Sequence, residues 1–284
     1  MRTIPNYRSR PSSPKPFVSR YSVLTILGLL LSLGACNPSD MGSGSITMPE
    51  VELRTTADSL AYRAYEAAGG PEMWAGSHIP YVRFNFTAGG APRRHLWNRK
   101  TGQYRLEYEI KPDTSVVVLF NARDAKGTAY LNGAAAQGSR NESLVSRAHR
   151  AFVNDTYWLL MPTKLFDEGV QRSLVPDSSD SETGVIRLTF EGVGYTPEDN
   201  YWLWINRDTG LIDHWNYLLQ GRSKMSTAKW IDYKEFDADG LSGRLSTRKV
   251  SPDGSFVIDL SPLEMPLSVD GKLFTSPEGS LSES

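Results

Sequence analysis

The chain of 284 residues holds one cysteine, Cys36, and four histidines, His78, His95, His149 and His214. With one cysteine no intrachain disulfide can form, so packing must hold the fold. The histidines show no spacing that would gather a metal, and no second thiol could complete a zinc site. A phosphate-binding glycine loop and a Gly-x-Ser-x-Gly nucleophile elbow are both missing. Asp208-Thr209-Gly210 has the letters of an aspartic-protease triplet, but its place between two alternating segments makes it a hairpin turn. Asp237-Ala238-Asp239-Gly240 resembles half a calcium loop, lacks the bidentate acid that should follow, and also reads as a turn. No catalytic group, metal or cofactor is therefore expected. Long apolar runs are scarce as well. Val23–Leu33 spans eleven residues, whereas a membrane-crossing helix needs about 20.

That run belongs to a leader. Arg2, Arg8, Arg10, Lys15 and Arg20 precede it without a single acid, and it ends in Leu33-Gly34-Ala35-Cys36. Basic start, short apolar stretch and small residues before a cysteine resemble the lipobox of bacterial lipoproteins. Residues 1–35 are expected to be a signal peptide, and Cys36 the lipidated new N-terminus. Lipidation converts an exposed thiol into a thioether and removes its redox liability. Asn37, not Asp, follows the cysteine, which by analogy with proteobacterial sorting directs the protein to the outer membrane. Five of the 31 basic residues lie in the leader, which leaves 26 against 32 acids beyond it. A mildly acidic chain without a basic run does not fit nucleic acid or anionic headgroups as the main partner. Residues 36–53, rich in Gly, Ser and Pro, form a flexible tether spanning roughly 20 Å root-mean-square.

Residues 54–262 carry the fold. Thr55 with Asp58 makes a capping pair, Leu60, Ala64, Ala67 and Ala68 form a narrow apolar face, and Gly69-Gly70 end that helix. The face is small enough for the helix to lie close against a sheet. Alternating segments follow at 80–87, 93–99, 103–111, 115–121 and 127–132, joined by short turn-like links that imply an antiparallel meander. A second helix is expected from a capping box at Ser139–Glu142, with Leu144, Ala148, Phe152, Trp158 and Leu159 on one stripe, and Pro162 closing it. Asp155 falls on that stripe, where a carboxylate needs a partner or a proton. It either meets a ligand headgroup or lid, or joins a buried network with Arg, Tyr or backbone. The second half returns to strands at 184–191, 226–236, 241–250 and 255–260, around a hairpin over Asn200–Gln220. Both faces of that hairpin are aromatic, so it should sit mid-sheet with cover on each side. Residues 263–284 read as a loose polar tail.

The lipobox, the helix ending Gly-Gly before Trp74, the meander, the mid-chain helix and Ile205-Asn206-x-x-Thr209-Gly210-Leu211-Ile212-Asp213 together resemble LolA/LolB-type lipoprotein carriers. Asn154–Pro162 and Tyr201-Trp202-Leu203-Trp204 resemble uncharacterised outer-membrane lipoproteins of that group. The likeness runs over about residues 55–250. It implies an α+β fold in which a strongly curved antiparallel sheet of about 10–11 strands forms an unclosed barrel, with two or three helices over its concave face. It also implies acyl chains held between sheet and helices. Strand parity and the resemblance place Val82, Phe84, Phe86, Leu106, Tyr108, Val118, Phe120, Leu188, Leu203 and Ile205 on that inward face, with Asp155 above it, while Arg83 and Glu107 point the other way. The expected protein is a monomer, anchored in the outer membrane through Cys36 and non-enzymatic. It binds lipid or lipoprotein acyl chains, or uses the same sheet as a scaffold for envelope partners.

Cys36→Ser is expected to abolish incorporation of radiolabelled palmitate and to leave the fold intact. Labelling of the variant at the wild-type level would show that the lipid sits elsewhere.

Overall fold

The structure, a computed structural model, describes residues 51–75, 78–111, 113–192 and 194–282. The leader, Cys36 and the tether up to residue 50 lie outside the described residues. Two helices come first, α1 (Thr56–Ala67) and α2 (Gly70–Trp74). Six strands follow: β1 (Tyr81–Phe86), β2 (Arg93–Asn98), β3 (Gln103–Lys111), β4 (Thr114–Asn121), β5 (Gly127–Leu131) and β6 (Ala134–Ala135). After α3 (Gly138–Leu160) come β7 (Val170–Leu174), β8 (Thr183–Phe190), β9 (Asn200–Asn206) and β10 (Ile212–Leu218). The last four strands are β11 (Ser226–Ala238), β12 (Leu241–Val250), β13 (Val257–Asp259) and β14 (Leu263–Glu264). The strands exceed the expected count through pieces of two to five residues, β6, β7 and β14, too short to show an alternation.

Every pairing is antiparallel, as short links require. One sheet runs β14-β1-β2-β3-β4-β5-β6 and the other β13-β12-β11-β10-β9-β8-β7. They meet where Thr87, just past β1, exchanges backbone hydrogen bonds of 2.8 and 2.9 Å with Asp259 at the end of β13. The far edges, β6 and β7, do not pair with each other, and α3 connects them. This is the unclosed, helix-covered antiparallel sheet expected from the sequence.

The Thr55–Asp58 capping box forms, and α1 packs on β7, β8 and β12. Its close approach needs glycine beneath it. A Cβ on Gly184 would stand 2.5 Å from the Leu60 methyls, and one on Gly243 2.8 Å from the backbone of Ala68. α3 begins one residue before the expected box. Gly138 turns at φ +51, Gln137 caps without a side-chain bond, and Ser139 lies inside the helix. Asn141 binds the sheet instead, accepting from the Ala129 N–H at 2.8 Å and donating to the Gly127 carbonyl at 3.1 Å.

The hairpin β9–β10 sits mid-sheet as expected, with a register shift between Ile212 and His214 that puts Ile212 and Trp215 on the same inner face. Its outer tryptophans are not covered by a packed element. Trp204 stacks on His214 at 4.3 Å, Arg187 lies 5.4 Å over Trp202, and both indoles stay half-buried.

The segment after residue 262 is not a loose tail. β14 pairs with β1, and Phe274 and Leu281 pack on Leu96 and Tyr81 on the outer side of the first sheet. Beneath it the Arg105 guanidinium donates to the carbonyls of Leu273 (3.0 Å), Ser276 (2.7 Å), Pro277 (3.2 Å) and Gly279 (2.8 Å). Its Nε donates to Glu107 at 2.5 Å, and Glu107 accepts the Leu281 N–H at 3.1 Å. Arg83 donates to the Leu281 carbonyl and pairs with Glu264 at 3.3 Å. Strand parity had Arg83 and Glu107 on this face correctly; what composition hid is that the face is covered. A Ser-rich segment has little apolar surface of its own, and its main chain is bound by side chains more than 160 residues away.

Arg105→Met is expected to cost on the order of 3–5 kcal/mol, because it leaves Glu107 without its partner and four carbonyls without a donor. Urea unfolding would register the loss, and limited proteolysis would cut near residues 270–282. An unchanged midpoint with an uncut segment would contradict this account.

Candidate functional site

The inner face is built by strand alternation. Val82, Phe84 and Phe86 of β1 and Leu188, Leu203 and Ile205 of β8 and β9 are buried in one apolar cluster, which extends to Trp215, Trp230 and Leu245. Leu106, Val118 and Phe120 of β3 and β4 are buried in a second, with Tyr108 half-buried against it. All the side chains expected to face inward therefore do so. In this form they are packed rather than open. Two surface grooves of about 410 Å³ each lie elsewhere, and none of these inward residues lines either.

α3 lies across both clusters. Leu144, Val145 and Ala148 of its first half pack with Leu106, Val118 and Phe120. Leu159 and Leu160 of its second half join the larger cluster. Tyr157 and Trp158 dock on the hairpin, with ring centroids 6.1 and 4.6 Å from Trp215, and Trp158 stands 5.6 Å from Tyr217. Trp215 is fully buried and also touches Tyr201 at 4.9 Å and Trp230 at 5.2 Å, so one indole organises the aromatic contact.

Between the two halves Asp155 points down onto β2. Arg93 grips it with two parallel bonds, Nε to Oδ2 at 2.6 Å and Nη2 to Oδ1 at 2.8 Å. Asn154 donates to Oδ1 at 2.8 Å. His95 Nε2 lies 3.1 Å from Oδ2 but off the line of a good hydrogen bond, so that contact is mainly electrostatic. The other ring nitrogen, Nδ1, is 2.7 Å from the Tyr104 hydroxyl, and the imidazole stacks on Phe84 at 4.4 Å. Burial pushes the Asp155 carboxyl up, but the facing His95 ring and the two bonds and charge of Arg93 outweigh it, and its pKa lies below the ordinary 3.8. Burial pushes His95 down, and Asp155 only partly offsets this, so its pKa lies below 6.5. Burial raises the Tyr104 phenol well above 10.0. At neutral pH the state is thus Tyr104 O–H donating to a neutral His95 whose Nε2–H faces an ionised Asp155, a tautomer assigned from its partners. Asp, His and Tyr in line could relay a proton. All three are fully buried and line neither of the two surface grooves, and they fasten α3 to the sheet.

Of the two roles open to Asp155, the buried network is the one that forms. Its partners were missed because Arg93–Asn98 reads as a short polar piece. Register carries the missing signal: His95 stands opposite Phe84 on β1 and Leu106 on β3, both inward residues. No group of three His, Cys, Asp or Glu side chains able to hold a metal occurs among the described residues. No helix among them is long and apolar enough to cross a membrane.

No family model matches the chain, and no curated protein does. Among solved structures it is similar to a DUF1329 family protein from Desulfovibrio piger, at 12% identity over 76% of this chain and 94% of that one, with a TM-score of 0.40. It is also similar to a LolA superfamily protein from Nitrosomonas europaea (14% identity, 78% and 98% covered, TM-score 0.35). A third is an outer membrane lipoprotein-sorting protein domain from Vibrio parahaemolyticus (8% identity, 76% and 94% covered, TM-score 0.40).

Asp155→Ala should cost about 1–3 kcal/mol, since it removes two charge-assisted bonds from Arg93, which can turn to water, and leaves the buried His95 Nε2 facing no carboxylate. The pH dependence has a defined sign. Both folded-state pKa values are depressed, so what these groups contribute is complete above about pH 6.5. It shrinks below that as unfolded, but not folded, His95 takes up a proton, and again below 3.8 as the unfolded carboxyl is protonated. Melting temperature should fall from pH 7 to pH 5 more steeply in the wild type than in His95→Gln. Parallel curves would remove His95 from the account.

Proposed function

We propose that this protein is a lipid-anchored, non-enzymatic carrier of the cell envelope that takes an acyl chain between the inner sheet face and α3. The observation that supports the reading is the site itself: two apolar clusters line the inner face, one long helix lies across both, and Asp155 is the only ion-paired contact between that helix and the sheet among the described residues. A buried ion pair is no better than apolar packing for holding a permanent core. It differs when the seam opens, because Arg93 and Asp155 regain hydration that an apolar pair would not, which lowers the cost of lifting α3. The space so exposed would be lined by Val82, Phe84, Phe86, Leu106, Tyr108, Val118, Phe120, Leu188, Leu203 and Ile205, with Asp155 at its rim. Each methylene withdrawn from water contributes about 0.8 kcal/mol, so a sixteen-carbon chain offers on the order of 12 kcal/mol against repacking and ordering costs. The anchor at Cys36 and the tether of residues 36–53 would hold such a carrier at the outer membrane while leaving it free to reorient.

The full chain carrying Cys36→Ser, stripped of lipid, is expected to bind fluorescent fatty-acyl probes, with longer chains binding tighter up to the length of the site. Asp155→Asn should lower the melting temperature and speed probe association, because the fastener is loosened while the apolar lining is kept. Leu106→Asp should destroy binding, whereas Glu109→Lys on an exposed outward position of β3 should not. Glu107 and Arg83 are unsuitable as neutral controls, since both hold the C-terminal segment. If no acyl probe binds, carriage is wrong and a scaffold for envelope partners takes its place.

A further inference from the structure

Lys249 of β12 has no place in the account so far. Its side chain is fully buried and points to the inner face, opposite Trp230 of β11 and Ile258 of β13. Nζ donates to the Ser246 carbonyl at 2.7 Å and lies 3.8 Å above the Trp230 ring. An ammonium has three donors, and no carboxylate among the described residues pairs with this one. Burial alone drives its pKa well below 10.5, with no neighbouring charge opposing the shift. Two indole N–H groups on the same face, of Trp215 and Trp230, lack an acceptor altogether. An apolar residue would fit such a position without the desolvation penalty, so the amine calls for a partner.

The surroundings indicate where a partner would enter. Trp230 touches Trp215, and Trp215 touches Trp158. Trp158 is half-buried and reaches Tyr217 and the exposed Phe256. Tyr217 lines a surface groove of about 410 Å³ that also carries Arg222 and Lys224. A file of aromatic rings thus leads from a basic groove to a buried amine, with the half-buried Trp158 of α3 as its outer member.

We propose that Lys249 is the headgroup site for a single-chain carboxylic acid, a fatty acid whose carboxylate pairs with Nζ while its chain lies along the inner apolar face. The assignment rests on the carrier reading and narrows it to an anionic, single-chain ligand. Entry moves one proton from the carboxylic acid to Nζ, and no bond to carbon changes. A carboxylate matches the one charge present; a phosphate dianion would bring more charge and more oxygens than one amine can satisfy.

The test compares palmitate with hexadecanol on the lipid-stripped full chain carrying Cys36→Ser, with and without Lys249→Met. Palmitate should bind about tenfold or more tighter than hexadecanol, the gain of a desolvated charge pair, and Lys249→Met should bring the two to parity without weakening hexadecanol. In the protein with Lys249 intact, palmitate but not hexadecanol should move the Lys249 Cε resonance to its charged position, a readout that needs no variant to fold. Equal affinities with an unmoved resonance would overturn the headgroup assignment and leave carriage standing. Binding of neither ligand would overturn both.

Discussion

One carboxylate in the C-terminal third of α3 sets how this molecule is held together. Asp155 is ionised, fully buried and gripped from below by Arg93 and His95, so α3 has one angular setting and one height over the sheet. The apolar contacts on either side of it, Leu144 to Ala148 on one cluster and Tyr157 to Leu160 on the other, are non-directional and would tolerate sliding. A bidentate ion pair does not. Because α3 is also the covalent link between the two free sheet edges, its position decides how far apart those edges stand.

The sheet has two faces and covers them by different physics. The inner face is covered by helices whose apolar stripes match the strand alternation, the ordinary solution for an amphipathic sheet. The outer face of β1–β3 is covered by a segment that brings two buried apolar anchors, Phe274 and Leu281, with Val269 and Leu273 packed beside them. There the binding energy comes from Arg105 and Glu107, side chains that would ordinarily be solvated on an outward strand position. The outer face of β9–β10 has neither kind of cover, and its tryptophans shield themselves by stacking on His214 and Arg187.

Buried charges on the inner face differ in what they meet. Asp155 is paired bidentately with Arg93, with His95 beside it and Tyr104 bound to the far side of that ring, and the group acts as a fastener. Lys249 meets one carbonyl and no carboxylate, and the indoles of Trp215 and Trp230 next to it in the interior meet no acceptor. That contrast is why the two groups are assigned different work, one holding α3 and the other awaiting an anion.

Local pattern determined much of this from sequence. Two-residue alternation located the long strands and assigned Val82, Phe84, Leu106, Leu203 and their neighbours to one side, because side-chain direction along a strand depends on the strand alone. Short turns determined that pairing is antiparallel, and the Thr55–Asp58 cap and Gly69-Gly70 bounded α1. Only the tertiary structure decided what each face meets. That Asp155 finds Arg93 and that residues 263–282 dock on Arg105 depend on pairs separated by tens to more than a hundred residues, and that Lys249 meets no carboxylate depends on which strands flank it. Parity says which way a side chain points; the partner waiting there is set by register and by the path of a distant segment, and neither leaves a mark in the local sequence.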